Sequence, residues 1–161
     1  LPKIPADVTD VVVINGDDSA FYTPALISNL TNIHFASNAA VTLLTLEIED
    51  PMGLGRVIRN GRGKVQAIVE EKDATEKQRK VKEVNAACYV FSMDFLKKYI
   101  KKIEKSPVTG EYYIVSLVEL AVKYGEAVQT LQGGPMPWRG VNSREELVEA
   151  ERLYLQVNGK A

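Results

Sequence analysis

Apolar residues recur along the chain with periods that switch between strand-like and helix-like, and their order predicts an α/β fold. Val11-Val12-Val13-Ile14 is a β-branched run closed by Asn15-Gly16-Asp17-Asp18, the pattern of a strand buried on both faces that stops in a tight acidic turn. Thr23-Pro24 places an N-cap before a first-turn proline, and Leu26, Ile27, Leu30 and Ile33 follow at helical spacing. These predict a helix from Pro24 to Ala36. Val41 to Ile48 reads as the next strand, broken by Asp50-Pro51-Met52-Gly53-Leu54-Gly55. Arg56 to Arg59 and Lys64 to Val69 flank Asn60-Gly61-Arg62-Gly63, whose Asn-Gly pair favours the positive φ angles of a hairpin turn.

The second half continues the alternation. Glu70 to Glu83 is charge-dense, with Asp73 or Thr75 as the cap of a short helix over Glu76 to Lys82. Val84 to Phe91 reads as a strand, and Ser92 precedes an amphipathic stretch from Met93 to Lys105 whose Phe95, Leu96, Tyr99, Ile100 and Ile103 share one face. A further helix runs from Tyr113 to Tyr124 and stops at Gly125. Ala127 to Leu131 is a weak strand, and Ser143 with Glu146 opens a final helix as a capping box. The expectation is a mostly parallel sheet with an antiparallel hairpin inserted in it and helices on its faces. Ligands bind such sheets beyond the carboxyl ends of the strands, which singles out the Gly16-Asp17-Asp18 turn.

Composition narrows the chemistry. A chain of 161 residues with 45% hydrophobic and 25% charged residues is that of one folded domain. The formal net charge of −1 gives no long-range attraction to nucleic acid or to an anionic membrane. No apolar run approaches the roughly 20 residues that span a bilayer, and Leu1-Pro2-Lys3-Ile4-Pro5 lacks the core of a signal peptide, so a soluble, cytoplasmic protein is expected. The one cysteine, Cys88, lies in an apolar run and reads as a packing residue, and the one histidine, His34, has no partner at zinc-ligand spacing. Any metal would be held by oxygen ligands, as magnesium and calcium are. Asp17 and Asp18 need solvent, a cation or donors, and one of them serves equally well as the cap of the next turn. Asn142, before the last helix, reads on its own as turn punctuation.

Six segments occur together in order: Gly16-Asp17, Asp50 to Arg59, Ile68 to Thr75, Glu83-Val84-Asn85, Gly110-Glu111-Tyr112-Tyr113 and Gly140-Val141-Asn142. This set resembles the sugar-1-phosphate nucleotidyltransferase family, with the uridylyltransferases of N-acetylglucosamine 1-phosphate as the nearest branch. The resemblance implies a partial nucleotide-diphospho-sugar transferase fold, a Rossmann-like mixed sheet flanked by helices with an inserted β-hairpin. It implies that a sugar phosphate oxygen attacks the α-phosphate of UTP, releasing pyrophosphate. It assigns Mg2+ to Asp17, as catalytic metal ligand, and to Asn142. Gly16 and Asn142 also join Gly55, Glu70, Asn85 and Tyr112 as substrate-binding positions, with Glu70 on sugar hydroxyls and Asn85 at the N-acetyl or hydroxyl region.

The departures carry expectations too. The usual Asn-Thr-Gly is here Asn85-Ala86-Ala87, and the tyrosine motif continues as Ile114-Val115-Ser116, which puts the sugar in question; a transferase for another sugar or base, such as glucose 1-phosphate or a thymidine nucleotide, is an alternative within the same class. Residues 1–161 read as the later portion of the catalytic domain, without the glycine-rich phosphate loop that opens it and without a β-helix acetyltransferase domain after it. On that reading the isolated chain turns over negligibly, and the Val11–Ile14 strand exposes an edge that a second copy could pair with. A non-catalytic binding or self-assembling fragment is the competing class.

Overall fold

The computed structural model describes residues 3–17, 19–134, 136, 138, 140, 141 and 143–159, with 157 and 158 as backbone only. Among them six strands form one mixed sheet: β1 (Asp10–Ile14), β2 (Val41–Glu47), β3 (Arg56–Arg59), β4 (Val65–Val69), β5 (Glu83–Ser92) and β6 (Val128–Gln132), in the order β4-β3-β5-β2-β6 with β1 also on β5. The helices are α1 (Pro24–Ser37), α2 (Glu76–Arg79), α3 (Met93–Tyr99), α4 (Ser116–Lys123) and α5 (Arg144–Asn158).

The long strand β5 organises the rest. Residues alternate across it, so Tyr89 and Phe91 join Val57, Ile68, Phe95, Leu117 and Val118 on the face covered by α3 and α4. Val84, Ala86, Cys88 and Val90 meet Leu44, Leu46, Leu30 of α1 and Trp138 on the other. Cys88 is a free, buried thiol, as its apolar surroundings predict. β1, β2 and β3 all pair antiparallel with β5, and only β2 and β6 pair parallel. The parallel share is therefore smaller than the strand–helix alternation predicts, because β5 runs against its neighbours in the middle of the sheet.

Local chemistry sets the helix starts. Thr23 accepts from the Leu26 amide, Thr75 forms a capping box with Gln78, Ser92 accepts from Phe95 N and Ser143 from Glu146 N. Gly125, at φ +72°, follows α4 in the left-handed conformation expected of it. α3 gives way to a 3-10 turn at Ile100–Lys102 and α4 begins only at Ser116, both shorter than their apolar periodicity. In the β3–β4 hairpin the positive φ falls on Gly63 rather than on Asn60-Gly61. The Asn60 side chain instead accepts from the amides of Arg62 and Lys64, and the β3–β4 register shifts at Arg59.

β1 departs from expectation. Among the described residues it pairs with β5 alone, leaving the open edge expected of it, but Val12 and Ile14 are 43% and 44% exposed where the sequence predicts burial on both faces. Their apolar pattern is that of an inner strand, but no described element covers them. The start of β1 is fixed by Asp10, whose carboxylate accepts from Nε2 of the buried His34 at 3.0 Å, while the His34 Nδ1 meets the Thr42 hydroxyl at 2.9 Å. A carboxylate can only accept, so the imidazole carries its proton on Nε2 and takes the threonine proton at Nδ1 when neutral.

Candidate functional site

Three expected site residues meet at one end of the sheet. Arg56 pairs with Val69 across the hairpin, which sets the preceding Gly55 beside the following Glu70. A β-carbon at position 55 would lie 3.1 Å from Glu70 Oε1 and 3.2 Å from Ile68 Cγ2, so any larger residue would press on both side chains. The Gly55 carbonyl accepts from the Asn85 backbone N–H at 2.9 Å. The turn leading into Gly55 is braced by Glu71, which binds the Arg56 guanidinium at 2.6 Å and accepts from Gly53 N at 3.3 Å. Arg56 is 2% exposed and also donates to the Leu54 carbonyl.

Asn85 opens an irregularity in β5. The β2–β5 register passes from Leu43↔Tyr89 to Thr45↔Asn85, leaving Ala86, Ala87 and Cys88 opposite Leu44. Ala87 takes φ +50°, a left-handed conformation that strands do not use. The bulge is held on every side: Asn85 Oδ1 accepts from Ala87 N at 3.2 Å, Asn85 Nδ2 donates to the Tyr89 hydroxyl, and Asn15 N donates to the Ala87 carbonyl at 3.3 Å. The Tyr22 hydroxyl donates to the Ala86 carbonyl and accepts from the Trp138 indole at 3.2 Å. One bulge thus ties together the segment before Gly16-Asp17, the Asn85 side chain and the loop that carries Trp138.

Asp17 lies in the exposed turn beyond β1, two residues past Asn15, and its carboxylate has no hydrogen bond or ion pair among the described residues. Ser19 Oγ donates to the Gly16 carbonyl at 3.1 Å and closes the turn. A free carboxylate on an exposed turn is a hard oxygen donor of the kind magnesium takes. Asn142 and Asp18 lie outside the described residues. Among those described, no group of three or more His, Cys, Asp or Glu side chains gathers to hold a metal.

Beside Glu70 opens a cleft of about 380 Å³ between β4, α4 and the segment after α3, lined by Ile68, Asp73, Lys102, Ser106 and Tyr113 among others. Ser106 Oγ donates to Asp73 Oδ1 at 2.7 Å, anchoring that segment to the turn after β4. Burial, then the Asp73 charge, push the Glu70 carboxyl above the usual carboxylate range, with Arg56 offsetting part of this. Tyr112 is not brought to this group. It is 65% exposed and pairs with Lys105, whose ammonium lies 5.4 Å from its ring centroid, while Tyr113 turns inward and bonds the Thr109 hydroxyl at 2.6 Å.

Sequence reasoning missed Tyr22, Tyr89 and Trp138. Asn85 and Tyr89 share a face of β5, but four strand residues span about 13 Å, so only the bulge makes their hydrogen bond readable. The Asp10–His34–Thr42 chain has the order of a nucleophilic triad, yet Thr42 is 0% and His34 2% exposed, and no substrate reaches the hydroxyl.

Known proteins resemble the chain over most of its length. A family model described as nucleotidyl transferase matches residues 3–157. The bifunctional protein GlmU of Pelotomaculum thermopropionicum is 40% identical over 147 residues, which cover 91% of the chain and 32% of the relative. GlmU of Heliobacterium modesticaldum is 40% identical over 154 residues, 94% of the chain and 33% of the relative. The chain therefore spans about a third of the length of these relatives. Among solved structures, a putative glucose-1-phosphate thymidylyltransferase from Bacillus anthracis, in complex with a sucrose, superposes with TM-score 0.69 at 20% identity, over 91% of the chain and 55% of its own. Apo UDP-glucose pyrophosphorylase superposes with TM-score 0.69 at 13% identity, over 93% and 55%. These two likenesses share the fold.

Proposed function

The chain belongs to the nucleotidyl transferase family, and from that premise we propose that it carries the sugar-binding and metal-binding part of a sugar-1-phosphate nucleotidyltransferase that uses N-acetylglucosamine 1-phosphate and UTP. The observation that carries the reading is the β5 bulge. On one side of it the Asn85 backbone N–H donates to the carbonyl of Gly55, the neighbour of Glu70, and on the other it receives the Asn15 amide, next to Gly16-Asp17. A sugar seated there has hydroxyl and amide recognition on one flank and the metal-bearing turn on the other.

In the proposed reaction an oxygen of the sugar phosphate bonds to the α-phosphorus of UTP as the bond to the β-phosphate bridging oxygen breaks, so pyrophosphate leaves. No protein nucleophile is needed, and positioning with charge neutralisation does the work. Asp17 is the proposed carboxylate ligand of Mg2+, and Asn142 its amide oxygen ligand. Bound Mg2+ supplies the charge that lets phosphate oxygens approach the Asp17 carboxylate. Glu70 accepts from sugar hydroxyls, and Asn85 contacts the 2-substituent. The Trp138–Tyr22 bond supports the metal assignment, since Trp138 lies four positions before Asn142 and Tyr22 five after Asp17.

Calorimetry of the chain with N-acetylglucosamine 1-phosphate tests this reading. Saturable binding strengthened by Mg2+, and lost in Glu70→Ala and weakened in Asp17→Asn, is the expected result. Equal heats in wild type and both variants refute it. A self-assembling fragment is the second reading, favoured by the open edge of β1 with Val12 and Ile14 exposed. A dimer in sedimentation velocity that Val12→Lys dissolves, with no sugar phosphate binding, would select it.

A further inference from the structure

The Asn85 amide is oriented before any ligand arrives, and its orientation follows from chemistry. The Ala87 backbone N–H is an obligate donor, so the side-chain atom 3.2 Å from it has to be Oδ1. Nδ2 then faces the Tyr89 hydroxyl and donates to it. Asn85 is 8% exposed and Tyr89 1%, and the Tyr89 ring is stacked on Phe91 with centroids 5.4 Å apart, so neither partner can swing away. One hydrogen of Nδ2 and one lone pair of Oδ1 are committed inside the protein, and the Asn85 side chain has no further partner among the described residues. The group is left with one N–H and one oxygen lone pair at fixed directions.

We propose that Tyr89 is a positioning residue, which locks the Asn85 carboxamide so that its remaining N–H points at an acceptor oxygen on the 2-substituent of the sugar. The identification of that substituent rests on the proposed sugar-binding function; the lock itself does not. A carboxamide free to turn would present N–H and oxygen alternately and would distinguish an acetamido carbonyl from a hydroxyl less sharply. Tyr89 supplies discrimination without touching the ligand, and the phenol is buried too deeply to serve as a contact itself.

The test is Tyr89→Phe, which removes the hydroxyl and keeps the stacked ring. On the ligand-free chain labelled with nitrogen-15, the Asn85 side-chain amide protons of the wild type are expected to be protected from exchange, one of them with contacts to the Tyr89 ring. In Tyr89→Phe that protection is expected to fall at least tenfold. Asn85 side-chain protons in the wild type that exchange as fast as those of an exposed asparagine, with no contact to the Tyr89 ring, overturn the proposal whatever the variant does, including a failure to fold. In calorimetry, Tyr89→Phe should weaken N-acetylglucosamine 1-phosphate about tenfold and glucose 1-phosphate by less than threefold, and should add nothing in an Asn85→Ala background. Equal losses for the two sugars, or a full loss in that background, overturn it. A locked amide in a wild type that binds neither sugar refutes the sugar-binding function and with it the role in discrimination, leaving the lock as a structural bond.

Discussion

The left-handed alanine in β5 makes the sharpest demand on the sequence. Ala86 and Ala87 are adjacent, yet Ala86 is 0% exposed in ordinary backbone while Ala87 sits at φ +50°. An L-residue in the left-handed region costs about 1–2 kcal/mol that glycine avoids, whereas glycine elsewhere in a strand loses about 0.5–1 kcal/mol through its extra freedom. Deleting a buried methyl costs a further ~0.8 kcal/mol, and about half that for the half-buried Ala87. Ala86→Gly should therefore destabilise by about 1.5 kcal/mol, while Ala87→Gly, where relief opposes the losses, should fall between neutral and about 1 kcal/mol stabilising. Urea unfolding followed by circular dichroism resolves a gap of about 2 kcal/mol, with equal m-values confirming that the unfolded states match. Equal losses in the two variants would refute the left-handed bulge, and with it the placement of Asn85.

Other consequences follow from the same contacts. Burial raises the Glu70 carboxyl, so the folded state holds a proton there that the unfolded chain releases, and stability falls as pH rises from the ordinary carboxylate value through the raised one. Glu70→Gln should flatten that part of the pH–stability curve and raise stability at neutral pH while weakening sugar phosphate binding; a curve unchanged by the substitution would show that Glu70 titrates normally. His34→Leu leaves Asp10 and Thr42 without their shared partner, and a loss of about 2–4 kcal/mol in urea unfolding is expected, against about 1 kcal/mol for Thr42→Val. Gly55→Ala places a methyl against Glu70 Oε1 and Ile68, so thermal stability should stay within about 1 kcal/mol while sugar phosphate affinity drops severalfold; intact affinity would mean that Glu70 does not contact the sugar.

What the sequence made legible were features decided within a few residues. The caps at Thr23, Thr75 and Ser143 and the glycine stop at Gly125 depend on one side chain and the next turn, and each stands where its chemistry puts it. The burial of Cys88 was legible from its apolar neighbours. Features decided by distant pairing were hidden. Val11–Ile14 has the composition of an inner strand, but exposure depends on which strands flank it, and among the described residues only β5 does. Tyr112 and Tyr113 are equivalent in composition, and the Lys105–Tyr112 bridge decides which of them turns outward. The Asn85–Gly55–Glu70 cluster followed from resemblance rather than from spacing, because three segments must first be set side by side by the β3–β4 and β3–β5 pairings.

Manganese relaxation on the nitrogen-15-labelled chain, with N-acetylglucosamine 1-phosphate present, measures most directly whether the turn after β1 and the loop before α5 hold one cation beside the sugar. Substoichiometric Mn2+ should broaden Gly16, Asp17 and Asn142 first and Asn85 next, with Asp17→Asn abolishing the pattern. Broadening that bypasses Asp17, or that reaches Asp17 while Asn142 stays sharp, contradicts the account.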